Sequence, residues 1–440
     1  MSHLLTVCAV ALTLVGLVFR SRWPKWATTS WAASVFVAAV LLVLYVLDLT
    51  RAAVAHPPLW DFTCFWIYGT AAVHFHEVFS GAALRAAAML PNIASIIPKF
   101  AIPQYTQEVL NPGMLYPPPT ILLFYPLGFI KDAHHAALAW WLINLAALCA
   151  FVLVVWRTYF RVYTGLVATI VLVIGFAPTL EALRLGQTTI IMALFTALFF
   201  CEGVNRLRSG VWLALAIIAK PLVLLLLLYP IVKREYRTLA GVGAALIATT
   251  LAAIPLIGVG AIASYITNNP VSRVPGELYR YPGYQSLFSV LLRLSSDTAS
   301  HYRFFDQYTF VGTAAVLVAV SVWLCWKLPD TERAVSLSLL SALALIVYPG
   351  TLFFYGILLL LPMCTLWSRR DQAPLAGWLV AAWWIIEAAL LAVATKYHSD
   401  PALATCAFLA FVGAWLLLAV IACARLMSQS AKVARYEADS

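Results

Sequence analysis

VWLALAIIAKPLVLLLLLYP, residues 211–230, decides the fold class: twenty residues that are apolar except for one lysine, with a proline directly after it. Some twenty residues of α-helix cross the hydrocarbon of a bilayer while satisfying their own backbone hydrogen bonds. The Lys220–Pro221 pair sits awkwardly in such a run. Lysine is costly in lipid, and proline removes the helical bond to the preceding turn. The run therefore reads as a membrane segment that is broken or partnered at Lys220.

The rest of the chain agrees. Of 440 residues, 63% are hydrophobic and 10% charged, against roughly 25% charged in soluble domains. Apolar runs recur at about 3–19, 27–47, 116–131, 135–156, 163–178, 188–203 and 210–232. They continue at 238–258, 305–326, 334–350, 351–367, 374–395 and 402–424. The expected fold is an all-α polytopic membrane protein of about 11–13 transmembrane helices, with one membrane domain over residues 1–425 and a cytoplasmic tail at 426–440. Its place is the cell membrane, among membrane lipids.

The net charge of +10 comes from Lys and Arg scattered singly or in pairs beside apolar runs. Positive-inside topology accounts for them better than nucleic acid, which calls for a dense basic patch. Simple alternation puts Lys131, Arg184, Lys233, Arg234, Arg237, Lys327, Arg333, Arg369, Arg370 and Arg425 inside. It leaves RTYFR (157–161) and NRLRSG (205–210) on the outer side. That conflict implies short re-entrant or broken helices in the middle of the chain. Eight cysteines show no CxxC pair, so neither a disulfide framework nor a zinc site is expected.

Two loops are long, 48–115 and 259–304, and both fall on the extracytoplasmic side of this scheme. Both are rich in aromatics and proline, as in AIPQYTQEVLNPGMLYPPP and RVPGELYRYPGYQSLF. They are expected to carry interfacial helices. The first holds Asp61 among Trp60, Phe62, Phe65 and Trp66, either as an ordinary loop carboxylate, as a helix N-cap, or as a functional acid.

Asp61 with Phe65-Trp66 and Gly69, then Tyr116-Pro117-Pro118, Leu185-Gly186-Gln187, Lys220 in a run ending Tyr229-Pro230, and Gln285-Ser286-Leu287 with Arg293 follow one another in an order that resembles glycosyltransferase family 87. The resemblance covers about residues 45–365. It implies a C-superfamily membrane glycosyltransferase that moves mannose, arabinose or a related sugar from a polyprenyl-phosphate carrier to a glycolipid or glycan acceptor of the bacterial envelope. It also implies that the aspartate of the first outer loop, Asp61, is the general base, with the active site on the extracytoplasmic side.

The chemistry suits these residue types. An inverting transfer needs one carboxylate to take the acceptor's proton, and a lipid phosphate leaves as an anion that cations stabilise. Arg280, Arg273 and Lys220 are the candidates for the donor phosphate; headgroup anchoring is the alternative for Arg273 and Arg293. Tyr116, Gln187, Gln285, Tyr355 and His74 are candidate substrate contacts, with capping and loop packing as alternatives for Tyr116 and Gln187. Glu181 and Arg184, three apart, are expected to pair within a helix. His74 and His76 point to different helix faces, so no metal site is expected, nor any cofactor. One departure stands out. In YPGTLFFYGILLLLP (348–362) many relatives carry a polar His or Asp, where this chain offers Tyr348, Tyr355 and Gly356.

Two other function classes fit a polytopic chain: a transporter or flippase, for which Lys220 and Pro221 would line a path, and a non-catalytic assembly protein. The absence of visible inverted halves weighs against the first.

Overall fold

A computed structural model describes residues 3–19, 24–58, 61–94, 96–97, 110–161, 163–267, 274, 276–294, 308–370, 374–390 and 401–439. Helices of eight residues or more are α1 (His3–Phe19), α2 (Lys25–Ala55), α3 (Phe62–Phe75), α4 (Gly81–Ala88), α5 (Ala133–Tyr159), α6 (Tyr163–Ile174), α7 (Ala177–Leu185) and α8 (Thr189–Cys201). They continue as α9 (Leu207–Ala219), α10 (Tyr236–Thr267), α11 (Leu287–Leu294), α12 (Tyr308–Lys327), α13 (Arg333–Val347), α14 (Leu360–Trp367), α15 (Pro374–Leu390) and α16 (Pro401–Asp439). The chain is an all-α polytopic membrane protein.

Five helices are long and apolar enough to cross a bilayer: Ala27–Ala55, Ala133–Tyr159, Tyr236–Thr267, Tyr308–Lys327 and Phe408–Ser428. The pair α6 and α7 forms a sixth apolar unit bent by 64°. The remaining apolar segments are shorter helices, among them Thr189–Cys201, Leu207–Ala219, Pro221–Val232 and Phe353–Ser368. Several of the 11–13 expected full crossings are thus half-length pieces.

Contacts at the helix ends sort the loops into two groups. At one end, the His134 ring meets the Val54 carbonyl at 2.9 Å, and the Trp66 indole donates to the Ile130 carbonyl at 3.1 Å. At the other end, Thr158 meets Cys201 (2.9 Å), Tyr159 meets Thr365 (3.2 Å) and the Arg237 amide donates to Asn205 (2.8 Å). There, too, Arg333 reaches the carbonyls of Phe199, Phe200 and Glu202, and Arg369 pairs with Glu332.

RTYFR and NRLRSG therefore lie at the same end as 233–237 and 327–333, whereas simple alternation had put them opposite. The physical reason is length. Helix α9 has 13 residues, about 20 Å at the helical rise, too short for a hydrocarbon layer of about 30 Å. It stops at Lys220 and the chain turns back. Three hairpins start and finish at the basic end in this way: α6–α7 with α8, α9 with Pro221–Val232, and α13 with Phe353–Trp367. Their tips are Gly186–Gln187, Lys220–Pro221 and Tyr348–Leu352. Lys131 and Arg184, assigned by alternation to the basic end, belong to the end where the tips gather. Lys220, expected mid-span, is a tip residue.

Each tip is built by local chemistry. Lys220 has extended backbone (φ −162°, ψ 121°), because the residue before a proline is pushed out of the helical region. Past it, Pro221–Leu227 winds as a 3-10 helix, as does Phe353–Leu359 after Leu352. Seven-residue 3-10 runs are unusual, and such stretches mark functional breaks more often than regular helix does. Gly186 ends α7 in the left-handed region (φ 67°, ψ 37°), where glycine carries no Cβ penalty. The Trp140 indole donates to its carbonyl at 2.5 Å.

Helix α3 is enclosed by the body of the protein, not laid along its surface: Phe62 through Ala72 are all buried. A Cβ on Gly69 would run into the Phe124 carbonyl, and one on Gly128 into the Gly69 carbonyl. The two glycines thus let α3 pack backbone-to-backbone on the turn Tyr125–Phe129, which fixes where Asp61 starts. The second long loop forms a small core with α12, made of Val274, Tyr279, Phe288 and Leu292 against Phe310 and Ala314.

Candidate active site

Asp61 occupies the N-cap position of α3, yet its side chain does not cap the helix. The first amides find backbone partners instead: Thr63 donates to the Pro58 carbonyl (3.1 Å) and Phe65 to the Asp61 carbonyl (3.2 Å). The carboxylate is thereby released from the usual duty of this position. Its Oδ1 accepts from Nε2 of Gln187 at the first hairpin tip. Gln187 Oε1 accepts from Lys220 Nζ of the second tip at 2.7 Å, and Lys220 also donates to Thr189 Oγ1 at 3.1 Å.

The amide orientation follows from the partners. An ammonium only donates and an ionised carboxylate only accepts, so Oε1 must face Lys220 and Nε2 must face Asp61. Lys220 is 2% exposed and Gln187 3%, while Asp61 is half-buried. Aromatic faces come from the 3-10 helix just past the third tip and from Tyr116: Lys220 Nζ lies 4.1 Å from the Tyr355 ring centre, 5.3 Å from Phe354 and 5.8 Å from Tyr116. Cation–π attraction of this kind strengthens when the cation is desolvated.

Burial raises the Asp61 carboxyl above its ordinary range, opposed by the Lys220 charge and by the bond from Gln187. A second ion pair stands beside it. Arg184 grips Glu181 with two bonds of 2.8 and 2.6 Å, the intrahelical pair expected from their spacing, and both charges act on Asp61. Glu181 is enclosed, whereas the Arg184 side chain is 49% exposed.

The second long loop reaches this centre through the third tip. Tyr284 and Leu352 form an isolated antiparallel bridge. The Gln285 amide N–H donates to Thr351 O at 2.7 Å, Phe353 N–H to Gly283 O at 3.3 Å and the Ser286 hydroxyl to Pro349 O at 2.8 Å. Arg293 donates to the Tyr284 carbonyl at 2.7 Å, which makes it a brace for the loop. Tyr116, Tyr284, Tyr348 and Asp61 all lie close enough to the Tyr355 hydroxyl to interact with it electrostatically.

Of the residues singled out in the sequence, Asp61, Gln187, Lys220, Tyr116 and Tyr355 come together around one centre. Gln285 joins through the seam with 348–353. Arg280 closes a short 3-10 turn, Gly276–Arg280, and is partly exposed in the same loop. Arg273 lies outside the described residues. His74 is not brought in: it is exposed in the last turn of α3, thirteen residues and about 20 Å along the helix from Asp61. Thr189 and Phe354 were not foreseen, and no sequence signal marks them beyond adjacency to Gln187 and Tyr355. Among the described residues no three His, Cys, Asp or Glu side chains converge as metal ligands.

The family model described as Glycosyltransferase family 87 matches residues 114–349. No curated protein and no solved structure matches the chain.

Proposed function

The chain belongs to glycosyltransferase family 87, and on that premise we propose that it transfers mannose, arabinose or a related sugar, with inversion, from a polyprenyl-phosphate carrier to an envelope glycolipid or glycan. The observation that carries this reading is the Asp61–Gln187–Lys220 chain. One carboxylate oxygen is held by an amide whose other end is fixed by a buried cation, and the second oxygen has no partner among the described residues.

In the proposed reaction Asp61 Oδ2 takes the proton of the acceptor hydroxyl as that oxygen bonds to the sugar C1. The bond from C1 to the phosphate oxygen breaks, and its electron pair leaves with the polyprenyl phosphate. The products are the glycoside and the lipid phosphate, with the proton on Asp61 passing to water. No second acid is required, because a phosphate leaves as a stable anion, unlike the sugar oxygen of a glycosidase substrate. Lys220 donates to Gln187 and Thr189, so it serves through its charge, steadying both the Asp61 anion and the developing phosphate anion. Direct contacts to the phosphate are assigned to Arg280 and Arg273, with Tyr116 and Tyr355 lining the sugar.

The proposed placement is a bacterial cell membrane with the site on the extracytoplasmic face and residues 426–440 in the cytoplasm. Its support is the charge asymmetry: Arg157, Arg161, Arg206, Arg208, Lys233, Arg234, Arg237, Lys327, Arg369, Arg370 and Arg425 share the end opposite Asp61, as the positive-inside rule asks of a cytoplasmic end. The test uses purified protein in nanodiscs with radiolabelled polyprenyl-phosphate mannose and polyprenyl-phosphate arabinose. Sugar transfer to envelope lipid by the wild type, abolished by Asp61→Asn, is expected. Undiminished transfer by that variant would defeat the assignment of the base.

A further inference from the structure

Gln285 is fully buried, and neither its Oε1 nor its Nε2 has a hydrogen-bond partner. Among the described residues it is the only buried side-chain amide with both heads unsatisfied. Asn144, by contrast, lacks a partner only at Oδ1, its Nδ2 donating to the Trp140 carbonyl at 3.1 Å. Buried amides are rarely left in this state, because losing water without gaining a partner is unfavourable at each head.

The location is telling. Gln285 sits on the seam where the small core of the second loop meets the main body, with its backbone pinned to Thr351. Four residues on, Tyr355 covers Lys220. The backbone is held and the side chain is left without a bond of its own, one residue past Tyr284, whose backbone bridges Leu352 of the third hairpin tip.

The chemistry of the two heads narrows the ligand. A phosphate or carboxylate only accepts and leaves Oε1 unmet; an ammonium only donates and leaves Nε2 unmet; an isoprenoid tail meets neither. Two neighbouring hydroxyls meet both, one accepting from Nε2–H and the other donating to Oε1. Resting on the transferase reading above, we infer that Gln285 reads a pair of adjacent sugar hydroxyls and so acts as a specificity determinant. The sugar is either the one carried by the donor or the terminal one of the acceptor.

The test compares wild type with Gln285→Leu, an apolar replacement of similar size, and Gln285→Asn, which keeps the amide but shortens its reach. In nanodiscs, affinity is measured for polyprenyl-phosphate mannose, for bare polyprenyl phosphate and for octyl α-mannoside, alongside the thermal midpoint. About tenfold weaker binding of the glycosylated carrier by Gln285→Leu, with the bare carrier unchanged, is expected if the donor sugar is read. About tenfold weaker octyl mannoside binding, with both carriers unchanged, is expected if the acceptor sugar is read. Gln285→Asn should weaken the same ligand.

A structural amide gives the opposite pattern: Gln285→Leu raises the midpoint, since an unmet polar group has gone, and leaves all three affinities unchanged. That result overturns the inference. If neither carrier binds the wild type, the donor assignment is what fails, and octyl mannoside alone then decides the role of the amide.

Discussion

The molecule buries charge at both ends, and the two clusters differ in what they leave open. At the basic end, Arg333 lies against the C-terminus of α8, donating to the carbonyls of Phe199 (3.0 Å), Phe200 (3.1 Å) and Glu202 (3.3 Å) and to Ser209 Oγ (3.3 Å). Its guanidinium stacks near Phe199 and Tyr229 and faces Glu235 at 3.8 Å. Glu235 in turn accepts from Thr238, and Lys233 is taken by Asp330 and the Leu328 carbonyl. This is the pattern of a brace: a cation placed at a helix C-terminus where carbonyls are unpaired. At the other end, Asp61 keeps a free oxygen and partial exposure. Arg333 Nε and Glu235 Oε1 also lack a hydrogen bond, but they are enclosed and face each other at 3.8 Å; burial of charge does not by itself mark a site, and what sets Asp61 apart is an unclaimed acceptor on a residue that is only partly buried.

Four experiments bear on that contrast, the largest effect first. Asp61→Asn should lower kcat by about 10²–10⁴-fold, the range for loss of a general base, with little change in thermal midpoint because Asn still accepts from Gln187. A large fall in stability instead would make the open end a brace like the closed one. Arg333→Ala should cost about 3–5 kcal/mol of stability through the buried carboxylate it strands, measured by thermal or denaturant unfolding, while the folded fraction keeps its kcat. Joint replacement, Arg333→Met with Glu235→Leu, should recover much of that loss. A specific fall in kcat at full stability would give the basic end a catalytic share.

The third concerns pH. In the proposed reaction transfer needs ionised Asp61, so the rate should rise with pH through the carboxyl's folded-state pKa. Burial raises that value, and the acid limb should therefore lie above the ordinary carboxylate range near about 3.9. The Lys220 charge and the Gln187 bond both favour the anion. Lys220→Met and Gln187→Leu should each move the acid limb to still higher pH, read from kcat/KM against pH; a limb unmoved by either would disconnect the chain of three residues. The smallest effect is expected for His74→Ala, within about twofold in kcat/KM, as for an exposed position away from the chemistry.

Much of the candidate site could be picked out in the sequence because its parts are rare in their setting. An aspartate among tryptophans and phenylalanines, a lysine in a twenty-residue apolar run and a glutamine opening another are conspicuous against 10% charge. The Glu181–Arg184 pair also followed from spacing alone. Arithmetic on span lengths went astray at the hairpins, since a window of hydropathy cannot tell a helix that crosses from one that turns back. Placement of Lys131 and Arg184 failed with it. His74 was drawn in by closeness in sequence, but a straight helix carries it away from Asp61.

The membrane class, the all-helical secondary structure and the short roster of polar groups are legible in the bare amino-acid order, because composition and apolar periodicity are local properties that a bilayer reads directly. It took the packed fold to bring Gln187 and Lys220, at two hairpin tips, up to Tyr355 just past the third, to join Asp61 to Lys220 through one amide, and to leave Gln285 with both heads unmet. Those relations depend on where half-length helices stop and on side-chain contacts between residues 33 and 126 positions apart, which packing settles and no local pattern records.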